Sequence, residues 1–312
     1  MSQENYMQGY SYVHPLPGPS ISNPSPSIAL ITGAASGIGR ATAHTFVQEG
    51  CTRLILGDLD YKGLEIVAEE LRARNAAVRT VVVAVDVSSE EQVESFIDAG
   101  VKEFGAIHYA VNNAGITSNP RVRTHELPTE SWNKVLDVNL RGAWLCQRAE
   151  LRQMMRQEVE LKTRYNNNQR PIPAADMISD FQLMMMHRTG APPQRGAIVN
   201  ISSLFGVMSH PTVGAYSAAK TGILGMTRTD ALAYAADGIR VNSVLPGFIK
   251  TPLVEESIRR GANYEELIET VPVKRWGHPG EIAEAVVFLA GEKASLVNGV
   301  SLVVDGGKQF AV

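Results

Sequence analysis

The feature that most constrains this chain is a glycine-rich turn directly after its first apolar run. Residues 28–32 lead into Gly33, Gly37 and Gly39, and a helical pattern begins at the same place. In dinucleotide-binding βαβ units, one glycine makes the tight turn, one lets the backbone approach a pyrophosphate, and one lets helix and strand pack closely. The helix N-terminus adds unpaired N–H donors and a positive dipole end for the phosphates. The segment therefore predicts a dinucleotide site, although three glycines near a helix start can also form a turn and nothing more.

From residue 28 onward, short β-branched or apolar runs alternate with amphipathic helical stretches. The runs that predict strands are 28–32, 52–57, 79–85, 107–111, 196–201, 239–244 and 300–304. The stretches that predict helices include 61–74, 89–103, 131–157, 215–236 and 279–290. Strands that are apolar throughout indicate a parallel sheet covered on both faces by helices. We therefore predict an α/β fold: one Rossmann-type domain over 28–312, with a doubly wound parallel sheet of about seven strands.

Two segments stand apart from this rhythm. Residues 1–27 hold five of the sixteen prolines and no regular period, which predicts a disordered tail or an arm docked on a neighbouring subunit. Residues 151–195 separate a helix from the next strand and hold six of the ten methionines, so we expect an insertion with a short helix at 174–187. A methionine-rich helix is packing material or a partner-binding surface. Helix-to-strand connections lie at the sheet edge opposite the active site, which argues against a lid in the same subunit.

Composition excludes several classes of protein. Lys plus Arg number 29 against 32 Asp plus Glu, a net charge of −3, so no basic field points to nucleic acid. No apolar stretch reaches the 18 residues that a membrane-spanning helix needs. Cys51 and Cys146 are the only cysteines, and no Cys/His cluster suggests a metal site. The N-terminus lacks the basic and apolar regions of a signal peptide, so we expect a cytoplasmic protein.

An acidic residue ends the second predicted strand. Asp58 lies nineteen residues beyond Gly39, where a carboxylate binds the adenosine ribose hydroxyls and repels a 2′-phosphate. No Lys or Arg occupies 34–36 or Leu59, although Arg40 is near. Asp58 could also cap the helix at 61–74. The pattern predicts NAD rather than NADP.

A tyrosine and a lysine share one face of the helix predicted at 215–236. Tyr216 and Lys220 are four residues apart, so their side chains are neighbours on a helix. A free tyrosine, with a pKa of about 10, is a poor base at neutral pH. A nearby ammonium together with an oxidised nicotinamide would stabilise the phenolate and make it an effective base.

Taken together, the motifs over residues 28–312 resemble the short-chain dehydrogenase/reductase family. Besides the glycine turn and the Tyr/Lys pair, they include an NNAG element at 112–115 and an Asp-Gly-Gly turn at 305–307. The resemblance implies a nicotinamide cofactor bound by Gly33, Ser36, Gly37, Ile38, Gly39, Asp58, Leu59, Asp86, Val87, Asn113, Ala114, Gly115, Tyr216, Lys220, Pro246, Gly247, Ile249 and Thr251.

The same resemblance assigns the catalytic roles. Tyr216 corresponds to the general base in alcohol oxidation or the acid in carbonyl reduction, and Lys220 lowers its pKa and holds the nicotinamide ribose. Ser203, thirteen residues before Tyr216, binds the substrate oxygen. Asn139 corresponds to the asparagine that holds a proton-relay water. Ser202 is expected to be structural because the spacing selects Ser203.

These expectations lead to an NAD-dependent enzyme that interconverts a secondary alcohol and a ketone. An isomerase or dehydratase that uses Tyr216 for proton transfer is the alternative, and the intact catalytic set argues against a cofactor sensor. The expected pocket walls, 116–128, 204–213 and 248–275, carry the aromatic side chains Phe205, Phe248 and Tyr264, which favours a small apolar or cyclic substrate. The resemblance also implies a homodimer or homotetramer, and the insertion with its Pro/Ser-rich head is similar to members of microbial specialised metabolism.

Overall fold

In a computed structural model, residues 27–158 and 194–311 are described, and they are organised around one parallel sheet. Its seven strands lie in the order β3-β2-β1-β4-β5-β6-β7. They are β1 Ile28–Thr32, β2 Arg53–Asp58, β3 Arg79–Ala84, β4 Tyr109–Asn112, β5 Gly196–Ile201, β6 Ile239–Pro246 and β7 Ser301–Val304. Every pairing is parallel, so the predicted doubly wound sheet is confirmed.

Helices cover both faces of this sheet. They are α1 Gly37–Gln48, α2 Tyr61–Arg74, α3 Glu90–Phe104, α4 Thr129–Leu136, α5 Ala143–Arg156, α6 Gly214–Ala233, α7 Pro252–Arg259, α8 Glu265–Glu269 and α9 Pro279–Ala290. Among the described residues, no helix is long and apolar enough to cross a membrane.

Alternation along the central strands divides the core into two layers. Ala29 and Ile31 of β1 pack with Phe46 of α1 and residues of α2 and α9, whereas Ile28 and Leu30 pack with residues of α3 and α5 on the opposite face. All residues of β1, β5 and β6 are buried, as expected for strands covered on both sides. The strand order reverses between β1 and β4, where open α/β sheets form a ligand crevice at the carboxyl ends of their strands.

The continuous helix predicted over 131–157 was wrong in one respect. A π-helical segment, Asp137–Gly142, separates α4 from α5. Such segments are rare and recur at functional sites, and hydrophobic periodicity does not reveal them over so short a length. The segments at 1–26 and 159–193, which include the helix predicted at 174–187, lie outside the described residues.

Candidate active site

The glycine turn has the close packing that its sequence predicts. Gly33 adopts a φ of +65°, and a Cβ there would lie 2.9 Å from the Ala114 backbone. A Cβ on Gly39 would lie 2.0 Å from the Gly33 carbonyl oxygen, so only glycine lets α1 begin this close to β1. Ser36 precedes α1 and its side chain makes no capping hydrogen bond. The first amides of α1 are therefore available to a phosphate at the crevice.

The NNAG element, residues 112–115, is hydrogen-bonded to this turn. Asn113 Nδ2 donates to the carbonyl oxygens of Thr32, at 3.1 Å, and Gly33, at 2.9 Å. Thr32 Oγ1 in turn accepts hydrogen bonds from the backbone amides of Asn113 and Ala114, at 3.1 and 3.2 Å. These four bonds hold the ends of β1 and β4 together and fix the floor of the crevice.

Asp58 ends β2, lines the crevice and is anchored by the backbone. Its two carboxylate oxygens accept hydrogen bonds from the Ala35 and Asp60 amides, each at 3.0 Å. The interpretation of Asp58 as a helix cap is wrong, because Asp60 is the residue that caps α2, through the Gly63 amide. Arg40, the nearest basic residue considered, forms a bidentate ion pair with Glu70 on α2.

A cleft of about 930 Å³ runs along the carboxyl ends of the strands, within the range of ligand pockets. Twelve of the eighteen predicted cofactor residues line it: Gly33, Ser36, Gly37, Ile38, Asp58, Leu59, Asp86, Val87, Asn113, Ala114, Gly115 and Thr251. Sequence reasoning missed one wall, made by Glu130, Asn133, Lys134 and Asp137. These four residues follow the i, i+3, i+4, i+7 spacing of one helix face, and that spacing in the sequence could have indicated that they line a common surface.

The other predicted cofactor residues sit behind or beside this cleft. Gly39 and Gly247 serve close packing, since a Cβ on Gly247 would lie 2.7 Å from the Asp305 Cα. Pro246 ends β6, and Ile249 is buried in the core with its backbone paired to Gly277. The Ile249 side chain is therefore part of the core and does not line the cleft. Thr251 caps α7.

The π-helical segment places the predicted asparagine. Asn139 is fully buried, and its amide makes a reciprocal pair with the backbone of Ile116: Oδ1 accepts from the Ile116 amide at 2.7 Å, and Nδ2 donates to the Ile116 carbonyl at 2.8 Å. A Cβ on Gly115 would lie 3.1 Å from Asn139 Oδ1 and 3.6 Å from Lys220 Nζ. Asn139 and Lys220 thus both lie beside Gly115, and a side chain at Gly115 would crowd them.

Tyr216, Ser203 and Lys220 come together where β5 ends. Lys220 is 4% exposed, its Nζ donates to the Ile201 carbonyl at 2.8 Å, and it lies 5.7 Å from the Tyr216 ring centre. Burial lowers the pKa of Lys220 to about 8. Burial also raises the pKa of Tyr216 to about 12, against the effect of a hydrogen bond from Ser203. In this state the phenol is protonated at neutral pH.

The two neighbouring serines are used differently. Ser202 Oγ donates to the Lys220 carbonyl at 2.7 Å, which ties β5 to α6. Ser203 Oγ accepts from the Phe205 amide at 3.1 Å and keeps its own proton for another acceptor. This arrangement agrees with a structural Ser202 and a chemically active Ser203.

Beyond Tyr216 lies an aromatic region that we call the substrate lobe, residues 248–276. Ring centres of Phe248 and Tyr264 are 6.0 Å apart, and those of Tyr264 and Trp276 are 5.7 Å apart. Phe205 connects the lobe to the catalytic residues, 6.2 Å from Phe248 and 6.5 Å from Tyr216. A face of this kind suits an apolar ring better than a charged chain. No group of metal-ligating side chains occurs in the described ranges.

Comparisons with known proteins identify the family of this chain. The family described as "short chain dehydrogenase" matches residues 27–159, and that described as "Enoyl-(Acyl carrier protein) reductase" matches residues 174–309. Cis-4-hydroxycyclohexanecarboxylate dehydrogenase of Sinomonas cyclohexanicum is 36% identical, over 90% of this chain and 95% of its own. This chain belongs to the short-chain dehydrogenase/reductase family.

Other family relatives and solved structures extend over the same length. Cyclohexanol dehydrogenase of an Acinetobacter species is 34% identical, over 89% of this chain and 93% of its own. The crystal structure of levodione reductase superposes with a TM-score of 0.76 and 32% identity, over 92% of this chain and 99% of that one. A structure described as ribose-5-phosphate isomerase of Brucella melitensis gives 0.72 and 30%, over 94% of both chains. The chain described here is therefore an oxidoreductase of the type that acts on alcohols and ketones.

Proposed function

We propose that this protein is an NAD-dependent dehydrogenase that interconverts a cyclic secondary alcohol and its ketone. The observation that carries the proposal is the convergence of Ser203, Tyr216 and Lys220 at the end of β5, between the cleft and the substrate lobe. A proton-transfer group, an oxyanion donor and a buried cation at one point form the machinery of carbinol oxidation.

The described residues fit a dinucleotide. The uncapped amides of α1, the glycine contacts at Gly33 and Gly39 and the 930 Å³ cleft supply a phosphate site and room for the rest of the cofactor. Asp58 favours NAD because its carboxylate would repel the 2′-phosphate of NADP. Arg40, the basic residue that follows the glycine turn, is paired with Glu70 and so is not free to bind that phosphate.

In this proposal the chain's own residues manage the proton. When bound, oxidised NAD supplies the hydride acceptor and a positive charge near Tyr216. That charge and the Lys220 ammonium would lower the pKa of Tyr216 so that its phenol loses a proton toward solvent. The phenolate would then take the carbinol proton and return to the phenol, while Ser203 donates to the substrate oxygen. Asn139 holds the Ile116 backbone beside Lys220, where a water could carry the proton onward.

The substrate class follows from the lobe and from the relatives. A continuous series of ring contacts leads from Tyr216 through Phe205, Phe248 and Tyr264 to Trp276, with ring centres 5.7–6.5 Å apart. Two relatives are named for the oxidation of cyclohexane alcohols, which a surface of this kind accommodates. We therefore propose a substituted cyclohexanol or cyclohexanone as the first substrates to examine.

The test is absorbance at the reduced-nicotinamide band while purified protein acts on cyclohexanol and substituted cyclohexanols. We expect signal growth with NAD, and faster growth with NAD than with NADP at equal concentration. The proposal fails if substrate is consumed with no change at this band, since that result would indicate isomerase chemistry. The similar structure described as an isomerase makes this second function the one to exclude first.

Assembly into a homodimer or homotetramer is part of the same proposal. Helix α5 exposes Trp144 and Met155, at 42% and 41%, beside a surface groove of about 440 Å³ that Leu151 and Tyr234 also line. Burying such side chains against a second copy would remove apolar area from water. Light scattering across a dilution series checks the stoichiometry, and replacement of residues 160–194 by a short Gly/Ser loop checks whether that segment strengthens association.

A further inference from the structure

Arg121 is the cation that reaches the substrate lobe. Its Nη1 donates to the Tyr264 hydroxyl at 3.0 Å and to Ser257 Oγ at 3.2 Å. The guanidinium carbon lies 5.5 Å from the Tyr264 ring centre. Both Ser257 and Tyr264 are buried, at 3% and 8% exposure, so the arginine is held against the inner side of the lobe rather than free on the surface.

This guanidinium has hydrogen-bonding capacity left over. Arginine carries five N–H donors, and the hydrogen bonds of Arg121 within the described ranges both come from Nη1. No carboxylate of those ranges pairs with it, whereas Arg40 pairs with Glu70 and Arg275 pairs with Glu281. A cation beside aromatic rings with free donors and no internal counter-ion is a recognition group for an anion.

Arg121 lies near residues that adjoin Tyr216. Burial, and then the charge of Arg121, lowers the pKa of His210, whose ring lies 6.1 Å from that of Phe205. The Tyr264 hydroxyl, which accepts from Arg121, is close enough to Tyr216 to raise its pKa further. Arg121 and Tyr216 therefore both lie near the Tyr264 side chain.

We propose that Arg121 is a specificity-determining residue that binds a carboxylate on the substrate ring, at the end remote from the carbinol. The proposal rests on the dehydrogenase function above. The two oxygens of a carboxylate match the free edge of the guanidinium, and the aromatic side chains of the substrate lobe suit the apolar ring that would carry the carboxylate. Ser257 and Tyr264 hold the guanidinium in place for this contact.

The experiment compares two substrates of similar shape, 4-hydroxycyclohexanecarboxylate and 4-methylcyclohexanol, on wild type and Arg121→Gln. We expect wild type to prefer the carboxylate, and the variant to lose roughly ten- to a hundredfold in kcat/KM for it, chiefly through KM. Activity on 4-methylcyclohexanol should stay within about threefold of wild type. Arg121→Lys should restore part of the preference, because it keeps the charge but not the planar donors.

The control is Arg74→Gln, which removes the same charge from an exposed residue in the last turn of α2, outside the expected pocket walls. It should leave both substrates near wild-type rates. If Arg121→Gln lowers the rate on both substrates equally, Arg121 only ties its loop to the lobe and the proposal is overturned. An absence of any carboxylate preference in wild type overturns it as well.

A binding measurement separates this proposal from the dehydrogenase function. Calorimetric titration with cyclohexanecarboxylate, which has no carbinol to oxidise, should show binding to wild type that Arg121→Gln weakens about tenfold or more. If no alcohol is oxidised but this binding difference holds, the dehydrogenase function fails and the carboxylate site stands. If neutral alcohols are oxidised but wild type and Arg121→Gln bind the carboxylate alike, or neither binds it, the carboxylate site fails alone.

Discussion

The nucleotide cleft and the substrate lobe are built in different ways. Around the cleft, backbone atoms and glycines make the decisive contacts, as where Gly39 approaches Gly33 and Asn113 donates to two carbonyl oxygens. In the lobe, contacts between aromatic side chains predominate, and the Arg121 guanidinium donates to one of these side chains, Tyr264. A backbone cradle accepts one ligand shape and tolerates little change. A surface of side chains can be altered residue by residue, which is how one family serves many substrates.

The strongest test of this contrast lies where the two regions meet. Tyr216→Phe removes the proton-transfer oxygen and keeps the ring that packs on Phe205. We expect turnover to fall by about a hundredfold or more while NAD affinity stays within a few-fold, measured by steady-state rates and cofactor titration. Lys220→Ala should lower both turnover and NAD affinity, because the lysine is expected to contact the cofactor as well as to stabilise the phenolate. A Tyr216→Phe enzyme that kept a tenth of the wild-type rate would show that another group moves the proton.

The next test is directed at the backbone cradle. In Gly39→Ala the new Cβ would lie 2.0 Å from the Gly33 carbonyl, so α1 must shift away from β1. We expect a loss of about 1–3 kcal/mol in the free energy of unfolding and much weaker NAD binding. Gly225→Ala, in α6 with no atom within 4 Å of its Cβ position, is the matched helical control and should be neutral or slightly stabilising. Equal effects of the two changes would contradict the argument from close packing.

A smaller effect is expected at the adenosine end of the cleft. Asp58→Asn removes the charge and keeps an oxygen that can accept from the Ala35 or Asp60 amide. We expect the dissociation constant for NADP, divided by that for NAD, to fall roughly tenfold, because the repulsion between the carboxylate and the 2′-phosphate is lost. Competition binding with both cofactors gives the ratio. Tighter binding of NADP than NAD by the unmodified protein would refute the role of Asp58.

The last test concerns a carboxyl buried in α5. Glu150 is fully buried, accepts from Asn112 Nδ2 at 3.0 Å, and burial raises its pKa from 4.5 to about 8. The folded protein therefore holds a proton that the unfolded chain releases above pH 4.5, so this residue makes the fold less stable as pH rises from 4.5 to about 8. Glu150→Gln should remove that trend, which denaturation at several pH values will show. Parallel pH profiles for both proteins would mean that Glu150 is already ionised in the fold.

The sequence predicted the cleft better than the lobe for a physical reason. A cofactor imposes fixed spacing on Gly33, Gly37 and Gly39, and parallel strands impose continuous apolar runs, so both leave a local pattern. The contact between Arg121 and Tyr264 joins residues 143 positions apart, and no local pattern records it. The wall that includes Asn133 and Lys134 had a helical period, but its polar residues are also what any exposed helix face carries.

The π-helical segment at Asp137–Gly142 lets one long stretch of helix serve two partners. Each residue turns an α-helix by roughly 100°, so one extra residue puts the two halves out of phase by about that angle. Before the segment, Val135 packs with Ala215 and Ala219 of α6; after it, Leu145 and Cys146 pack beneath the sheet with residues of α3. Deleting a single residue here would make the helix regular and would force one of those two faces to turn away from its partner. The extra residue therefore sets the rotational phase that keeps Asn139 aimed at Ile116.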